Sequence, residues 1–303
     1  MNNKVVIIGC GNVGMAYAYA LLNQRTYVNK LILIDLNKDK IEGEVMDLNH
    51  GLPYAPSKIS INVGDYSDCN DARIVVIAAG ANQKPGETRM DLIHKNASIF
   101  KDIVDNVMVS GFNGIFLVAT NPLDVMTYLT YKYSGLPASK VIGSGTSLDT
   151  ARLQLMIGKK LCINPKNIQA YVIGEHGDTE FIPWSNANIS LQNIKEFFSE
   201  EESISIEKDV RNAAYDIINK KGATYYGIGM ALVRITNAIL GNENTIIALS
   251  VYDEKNDVYI GLPAIVNKDG AERRVHLDLT EEESIRLQFS IDVIKAQIEK
   301  LDK

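Results

Sequence analysis

The chain has only three cysteines in 303 residues: Cys10, Cys69 and Cys162. Their number is odd, they are widely spaced and no CxxC pair occurs. Neither a disulfide framework nor a zinc site is expected, and the three read as reduced thiols. Long apolar runs are missing too. None approaches the roughly 18 to 20 residues that span a bilayer, so no membrane span is expected. A strand-like run begins at Lys4, so no cleaved targeting peptide is expected. Positive charge is not in excess, since 31 Lys and Arg face 37 Asp and Glu for a net charge of −6. That balance argues against nucleic acid as the main partner, yet it allows a small anion held by local arginines. Internal repeats and low-complexity segments are also lacking.

Histidine is scarce, with four in the chain, and one sits in Gly174-Glu175-His176-Gly177-Asp178. Histidine is the commonest proton carrier at neutral pH. Flanking glycines would let another molecule approach the imidazole closely. The apolar run Ala170-Tyr171-Val172-Ile173 precedes it, so His176 is expected where a strand gives way to a loop. Alone, this would be an ordinary loop histidine. A carboxylate, a substrate clamp and a cofactor must be found elsewhere to change that.

The first half of the chain supplies the cofactor signal. Lys4 to Ile8 is a β-branched run that enters Gly9-Cys10-Gly11-Asn12-Val13-Gly14. Met15 to Asn23 reads as a helix, Lys30 to Ile34 as a second strand, and Asp35 follows at once. GxGxxG alone is weak. Between a strand and a helix, with an acid about 20 residues on, it is the dinucleotide fingerprint. Gly9 permits a tight turn, Gly11 lets a pyrophosphate approach, and Gly14 allows close packing of helix on sheet. Asp35 can accept hydrogen bonds from ribose hydroxyls and would repel a 2′-phosphate, so NAD is expected rather than NADP.

Helices are expected over 39–50, 91–110 and 123–133, and strands over 58–63, 72–80, 114–119 and 140–144. This alternation predicts a doubly wound parallel sheet of Rossmann type, with ligands outside the carboxyl ends of its strands. Gly9, Asp35, Gly80, Asn121 and Ser144 fall at such ends, and Ala79-Gly80-Ala81 offers a small-residue floor for a cofactor. After Ser144 the pattern changes. Helices over 149–160, 200–221 and 224–240, strands over 245–252 and 258–266, and a last helix from Glu281 predict a mixed α+β substrate domain. The expected division is 1–143 for the dinucleotide-binding domain and 144–303 for the catalytic one.

Asp149 and Arg152 are three apart on a predicted helix and share a face. An isolated D-x-x-R is usually a surface ion pair. This one directly follows the last Rossmann-type strand, where a substrate should lie. An arginine matches a carboxylate with two parallel donors, and a buried aspartate can fix a histidine tautomer.

The segments Gly80 to Arg89, Ala119-Thr120-Asn121-Pro122, Leu148 to Arg152 and Gly174 to Asp178 together resemble the L-lactate dehydrogenases, within the lactate/malate dehydrogenase family. The resemblance covers nearly the whole chain and is strongest toward the bacterial enzymes. It implies NAD-dependent interconversion of pyruvate and L-lactate in a cytoplasmic homotetramer. By position it makes His176 the acid/base, Asp149 its partner, Arg152 the clamp on the substrate carboxylate and Arg89 a loop residue that polarises the ketone after closure. Asn121 would bond near the ketone and the nicotinamide ribose, and Thr224 would line the substrate pocket. Ser144 and Ile228 would contact the nicotinamide, although each could equally be a turn residue and a core residue.

Gln83 bears on the substrate. Malate enzymes carry arginine there to pair a second carboxylate, whereas a neutral glutamine suits the methyl of pyruvate and leaves oxaloacetate's extra charge unpaired. A related L-2-hydroxyacid dehydrogenase, for malate or a branched substrate, is the alternative. Relatives activated by fructose 1,6-bisphosphate place an arginine and a histidine where this chain has Gln154 and Gln169. Neither glutamine brings charge, so little or no activation is expected.

Overall fold

A computed structural model describes residues 2–81 and 89–301, with side chains omitted at 89–91. Gln83 and the side chain of Arg89 therefore lie outside the described residues. The first half runs β1 (Lys4–Ile8), α1 (Asn12–Leu22), β2 (Lys30–Ile34), α2 (Lys38–Gly51), β3 (Ser60–Val63), β4 (Ile74–Ile77), α3 (Arg89–Val109), β5 (Ile115–Val118), α4 (Leu123–Ser134) and β6 (Val141–Gly143). The second half runs α5 (Ser147–Leu161), β7 (Ile168–Gln169), β8 (Asn188–Ile189), β9 (Gln192–Asn193), α6 (Glu200–Lys221), α7 (Tyr226–Leu240), β10 (Thr245–Asp253), β11 (Val258–Asn267), β12 (Gly270–Arg274) and α8 (Glu281–Ile298).

Nine of the strands form one sheet in the order β12-β11-β10-β6-β5-β4-β1-β2-β3, and β7, β8 and β9 form a second, three-stranded sheet. Strands β1 to β6 are parallel, and every residue of β1, β4, β5 and β6 is buried. Helices cover both faces, which is why these strands read as unbroken apolar runs rather than alternating ones. Strand order reverses between β1 and β4, and the crevice outside that switch point is the expected ligand site.

Two features depart from the sequence reading. The antiparallel β10–β11–β12 meander is joined to the parallel sheet through Ser250 opposite Gly143, so the second half extends the first sheet besides building the small β7–β8–β9 sheet of its own. The run Ala170 to Ile173 is not a continuous strand, and only Ile173 pairs, with Phe181. Threonines take the backbone groups of Val172. Thr150 accepts from the Val172 amide at 3.0 Å, and Thr146 donates to the Val172 carbonyl. The apolar side chains of the run reflect burial in place of ladder pairing. Ala170 and Val172 join a second core with Leu153, Ile157 and Ile206 of α5 and α6.

Local signals set the helix ends. Ser199 with Glu202 and Thr280 with Glu283 form capping boxes at the starts of α6 and α8, each with three acids in its first turn. Gly222, at φ 86°, ends α6 in the left-handed conformation that glycine adopts without strain. Thr224 lies between the two helices, since α7 begins two residues later than expected, at Tyr226.

Candidate active site

Gly9 leaves β1 at φ +93°, and a Cβ there would lie 2.3 Å from the Ala79 amide nitrogen. A Cβ on Gly14 would lie 2.1 Å from the Gly9 carbonyl oxygen. Both positions therefore exclude larger residues, whereas a Cβ on Gly11 would meet open space. Asn12 and Val13 form the first turn of α1, whose N-cap is Gly11, and the free N–H groups and dipole of a helix start suit a phosphate. The backbone there leads into a cavity of about 640 Å³ lined by Gly9, Gly11, Asp35, Ala79, Gly80 and Ala81. Asp35 accepts the amides of Cys10 at 2.8 Å and Asn37 at 3.0 Å. Each carboxylate oxygen still has a lone pair for a ribose hydroxyl. Shape, helix terminus and acid all fit a dinucleotide. Burial, then Asp35, push the Cys10 thiol up to about 12, so it takes no part as a thiolate.

Asn96 of α3 joins this cavity to the next. Its side chain accepts the Ala81 amide at 2.8 Å and donates to the Asn121 carbonyl at 3.2 Å. The second cavity is a cleft of about 360 Å³ that includes Asn121, Asp149, Arg152, His176, Glu180 and Arg211 in its lining. Asp149 and Arg152 reach it from α5, His176 from the turn after Ile173, and Asn121 from the end of β5.

Asp149 is the centre of the constellation. One oxygen meets Nδ1 of His176 at 2.8 Å, and the other accepts from Arg152 at 2.7 Å. With Nδ1 engaged, Nε2 is the imidazole nitrogen left for a ligand. The Asp149 side chain is 2% exposed while His176 keeps 25%, so a buried acid orients a base that the cleft can reach. Burial works against the Asp149 charge, but His176, then Arg152, hold its carboxyl below the usual range. Burial alone would lower His176. Asp149, followed by Glu180 and Asp124, carries it up to about 9 instead. Behind the pair, Asp124 of α4 accepts the His176 amide at 2.8 Å and the Ser250 hydroxyl at 2.5 Å. Burial raises Asp124 to about 6, moderated by these two bonds.

Sequence reasoning missed Asp124, Glu180, Arg211 and Asn96. Asp124 had one cue, a charge inside the otherwise apolar start of α4. Arg211 lies on the charged helix α6, where nothing distinguishes it from a solvated residue. Of the residues singled out beforehand, Ser144, Thr224 and Ile228 are not among the residues that line the cleft. Ser144 is half-buried just beyond β6, where its amide donates to Val118 at 2.9 Å, Thr224 is half-buried in the turn before α7, and Ile228 packs partly buried against the main core.

The fold and this pair of adjoining cavities belong to the class of dinucleotide-dependent dehydrogenases. Residues 3–143 match the NAD-binding domain of the lactate/malate dehydrogenases, and residues 146–303 match the α/β C-terminal domain of the same family. The chain therefore belongs to the lactate/malate dehydrogenase family. It is 54% identical to an L-lactate dehydrogenase of Bacillus pumilus, over 97% of this chain and 96% of that one. Among solved structures it resembles MGS-M5, a lactate dehydrogenase from a Medee basin deep-sea metagenome library, with a TM-score of 0.97 at 53% identity over 100% of both chains. It also resembles the ligand-bound minor L-lactate dehydrogenase of Enterococcus mundtii, with a TM-score of 0.97 at 43% identity over 99% of this chain and 98% of the other.

Proposed function

We propose that this protein is an NAD-dependent L-lactate dehydrogenase that interconverts pyruvate and L-lactate. One observation carries the reading: Asp149 binds a histidine and an arginine at once, in a cleft beside the dinucleotide cavity. That arrangement offers a proton and an anion clamp a few ångströms apart, as a 2-keto acid requires. The bound nicotinamide supplies the hydride. Arg152 uses one donor on Asp149 and has others for the substrate carboxylate. His176 gives its Nε2 proton to the ketone oxygen during reduction and takes it back during oxidation. Asp149 fixes the tautomer and stabilises the imidazolium. Arg89 polarises the ketone once the segment before it closes and excludes water. Asn121 bonds near the ketone and the nicotinamide ribose, Thr224 faces the substrate, and Ser144 and Ile228 contact the nicotinamide in the closed, ligand-bound state. Reduction of NAD with L-lactate and not with D-lactate tests the assignment, and no turnover with the L enantiomer would refute it.

We place the domain division at 143/144, where the parallel sheet ends, and we infer a cytoplasmic homotetramer. Among the described residues no helix is long and apolar enough to cross a membrane. NADH is expected to be preferred over NADPH by at least about a hundredfold in kcat/KM, since the Asp35 carboxylate meets a 2′-phosphate at hydrogen-bonding range. Asp35→Ser should narrow that ratio. Equal efficiency with both cofactors in the unmodified enzyme would remove Asp35 from the assignment.

Fructose 1,6-bisphosphate is expected to have little effect. The Gln154 amide is engaged by the Ile168 and Ala170 carbonyls at 3.2 and 3.4 Å, and Gln169 is an uncharged exposed residue of β7. An activator must bind the active state better than the inactive one, and these positions offer a bisphosphate no charge with which to do so. Pyruvate saturation at matched ionic strength, with and without millimolar bisphosphate, should give the same KM. A large effector-dependent fall in KM would show that cations elsewhere build the site.

A further inference from the structure

Glu180 is a buried titratable group that the mechanism above leaves without a task. Its side chain is 6% exposed, and one carboxyl oxygen lies 3.9 Å from Nδ1 of His176, beyond hydrogen-bonding distance. An oxygen of Asp149, an oxygen of Glu180 and a ring nitrogen of His176 all lie within 4.8 Å of one another. The cleft that would receive a substrate carboxylate on Arg152 thus already contains the carboxyls of Asp178 and Glu180 besides that of Asp149. We propose that Glu180 is a further residue of the substrate site, whose proton governs admission of the anionic substrate: protonated, it shares the cleft with the substrate carboxylate; ionised, it repels it. The inference rests on the reading of Arg152 as the carboxylate clamp.

The surroundings make this charge costly. From α5, Asp149 presents a carboxylate and Arg152 a cation already paired with it at 2.7 Å. From the turn come His176 and, beside it, Asp178, which accepts from Tyr215 of α6 at 2.7 Å. Asp124 stands behind His176 on its amide. Arg211 of α6 donates to the main-chain carbonyl of Glu180 at 3.0 Å and to Glu207 at 2.9 Å, and Glu207 is also bonded by Arg286 of α8. Burial first, then Asp149, hold the Glu180 carboxyl up to about 8, with His176, Arg152 and Arg211 pulling the other way. Glu180 therefore keeps its proton to a higher pH than an ordinary glutamate does, and its anion forms only as the pH rises. A substrate carboxylate in the same low-dielectric cleft then meets like charge at close range.

Oxidation of L-lactate at saturating NAD separates this effect from the titration of His176. In that direction His176 must be neutral to accept the proton, so its ionisation produces an acid limb and no alkaline one. Because the acid limb of His176, held up to about 9, overlaps the ionisation of Glu180, the reading is the ratio of the KM for L-lactate in the unmodified enzyme to that in Glu180→Gln. With Glu180 as proposed, this ratio rises above its ionisation point by about tenfold per pH unit, the slope for loss of one proton from the binding-competent form. Glu180→Gln, with folding checked by NADH binding, should abolish the rise and keep the acid limb. Glu180→Asp, which retains a carboxyl, should keep a rise. A purely structural role would instead change KM by one factor at every pH. A ratio of the two KM values that stays constant from neutral to alkaline pH overturns the proposal. So does an alkaline rise that persists in Glu180→Gln. Absence of L-lactate turnover at every pH is a different failure: it refutes the function proposed above, and this inference with it.

Discussion

Asp149→Asn is expected to lower kcat/KM for pyruvate reduction by about two to three orders of magnitude. Asp149 is 2% exposed and holds His176 at 2.8 Å and Arg152 at 2.7 Å. Removing one member of a buried charged set costs about 3–5 kcal/mol, and each 1.4 kcal/mol is a factor of ten. An amide is nearly isosteric, so packing is kept while the charge is lost. Two consequences distinguish this from general damage. Asp149 is the chief influence raising His176, so the variant's histidine should lose its proton at lower pH, and the alkaline fall in pyruvate reduction should move to lower pH with it. NADH binding should be unchanged, because the dinucleotide cavity does not include Asp149 in its lining. An activity loss with an unmoved pH profile would mean that Asp149 supports the fold and leaves the proton to another group.

Gln83→Arg is expected to shift the ratio of efficiencies from pyruvate toward oxaloacetate by at least about three orders of magnitude. Gln83 lies outside the described residues, so this expectation rests on its chemistry and on the family resemblance of the segment. A cation there would pair the second carboxylate of oxaloacetate, whereas the methyl of pyruvate would leave that cation unpaired in a closed site. Each mismatch costs about 2–5 kcal/mol. The two effects act on the same ratio in the same direction. An unchanged ratio of kcat/KM values would mean that this position faces solvent.

How legible the protein was depends on the kind of signal. The parallel sheet was readable because strands buried on both faces announce themselves as β-branched runs, and Gly9, Gly14 and Asp35 each answer a steric or electrostatic demand that few other residues meet. The pairing of His176 with Asp149 could be expected from their motifs, although only folding brings α5 against the turn after Ile173. The run Ala170 to Ile173 misled because a short apolar run reports burial, and the backbone partners of Val172 are threonine side chains. Joining of β10 to β6 was hidden because a single bridge, Ser250 with Gly143, carries it across more than a hundred residues of chain. Glu180 was hidden for a different reason. Four residues after a histidine and near a turn, a glutamate reads as solvated, and only the packing of α5 and α6 around it turns it into a buried acid.

The assignment is tested most directly by NADH oxidation on the unmodified enzyme, with pyruvate and oxaloacetate compared at neutral pH under the same conditions. The assignment predicts that kcat/KM for pyruvate exceeds that for oxaloacetate by at least about a hundredfold, the discrimination that one uncompensated buried charge provides. Equal efficiencies, or a preference for oxaloacetate, would contradict it and make the protein a malate-type member of the family.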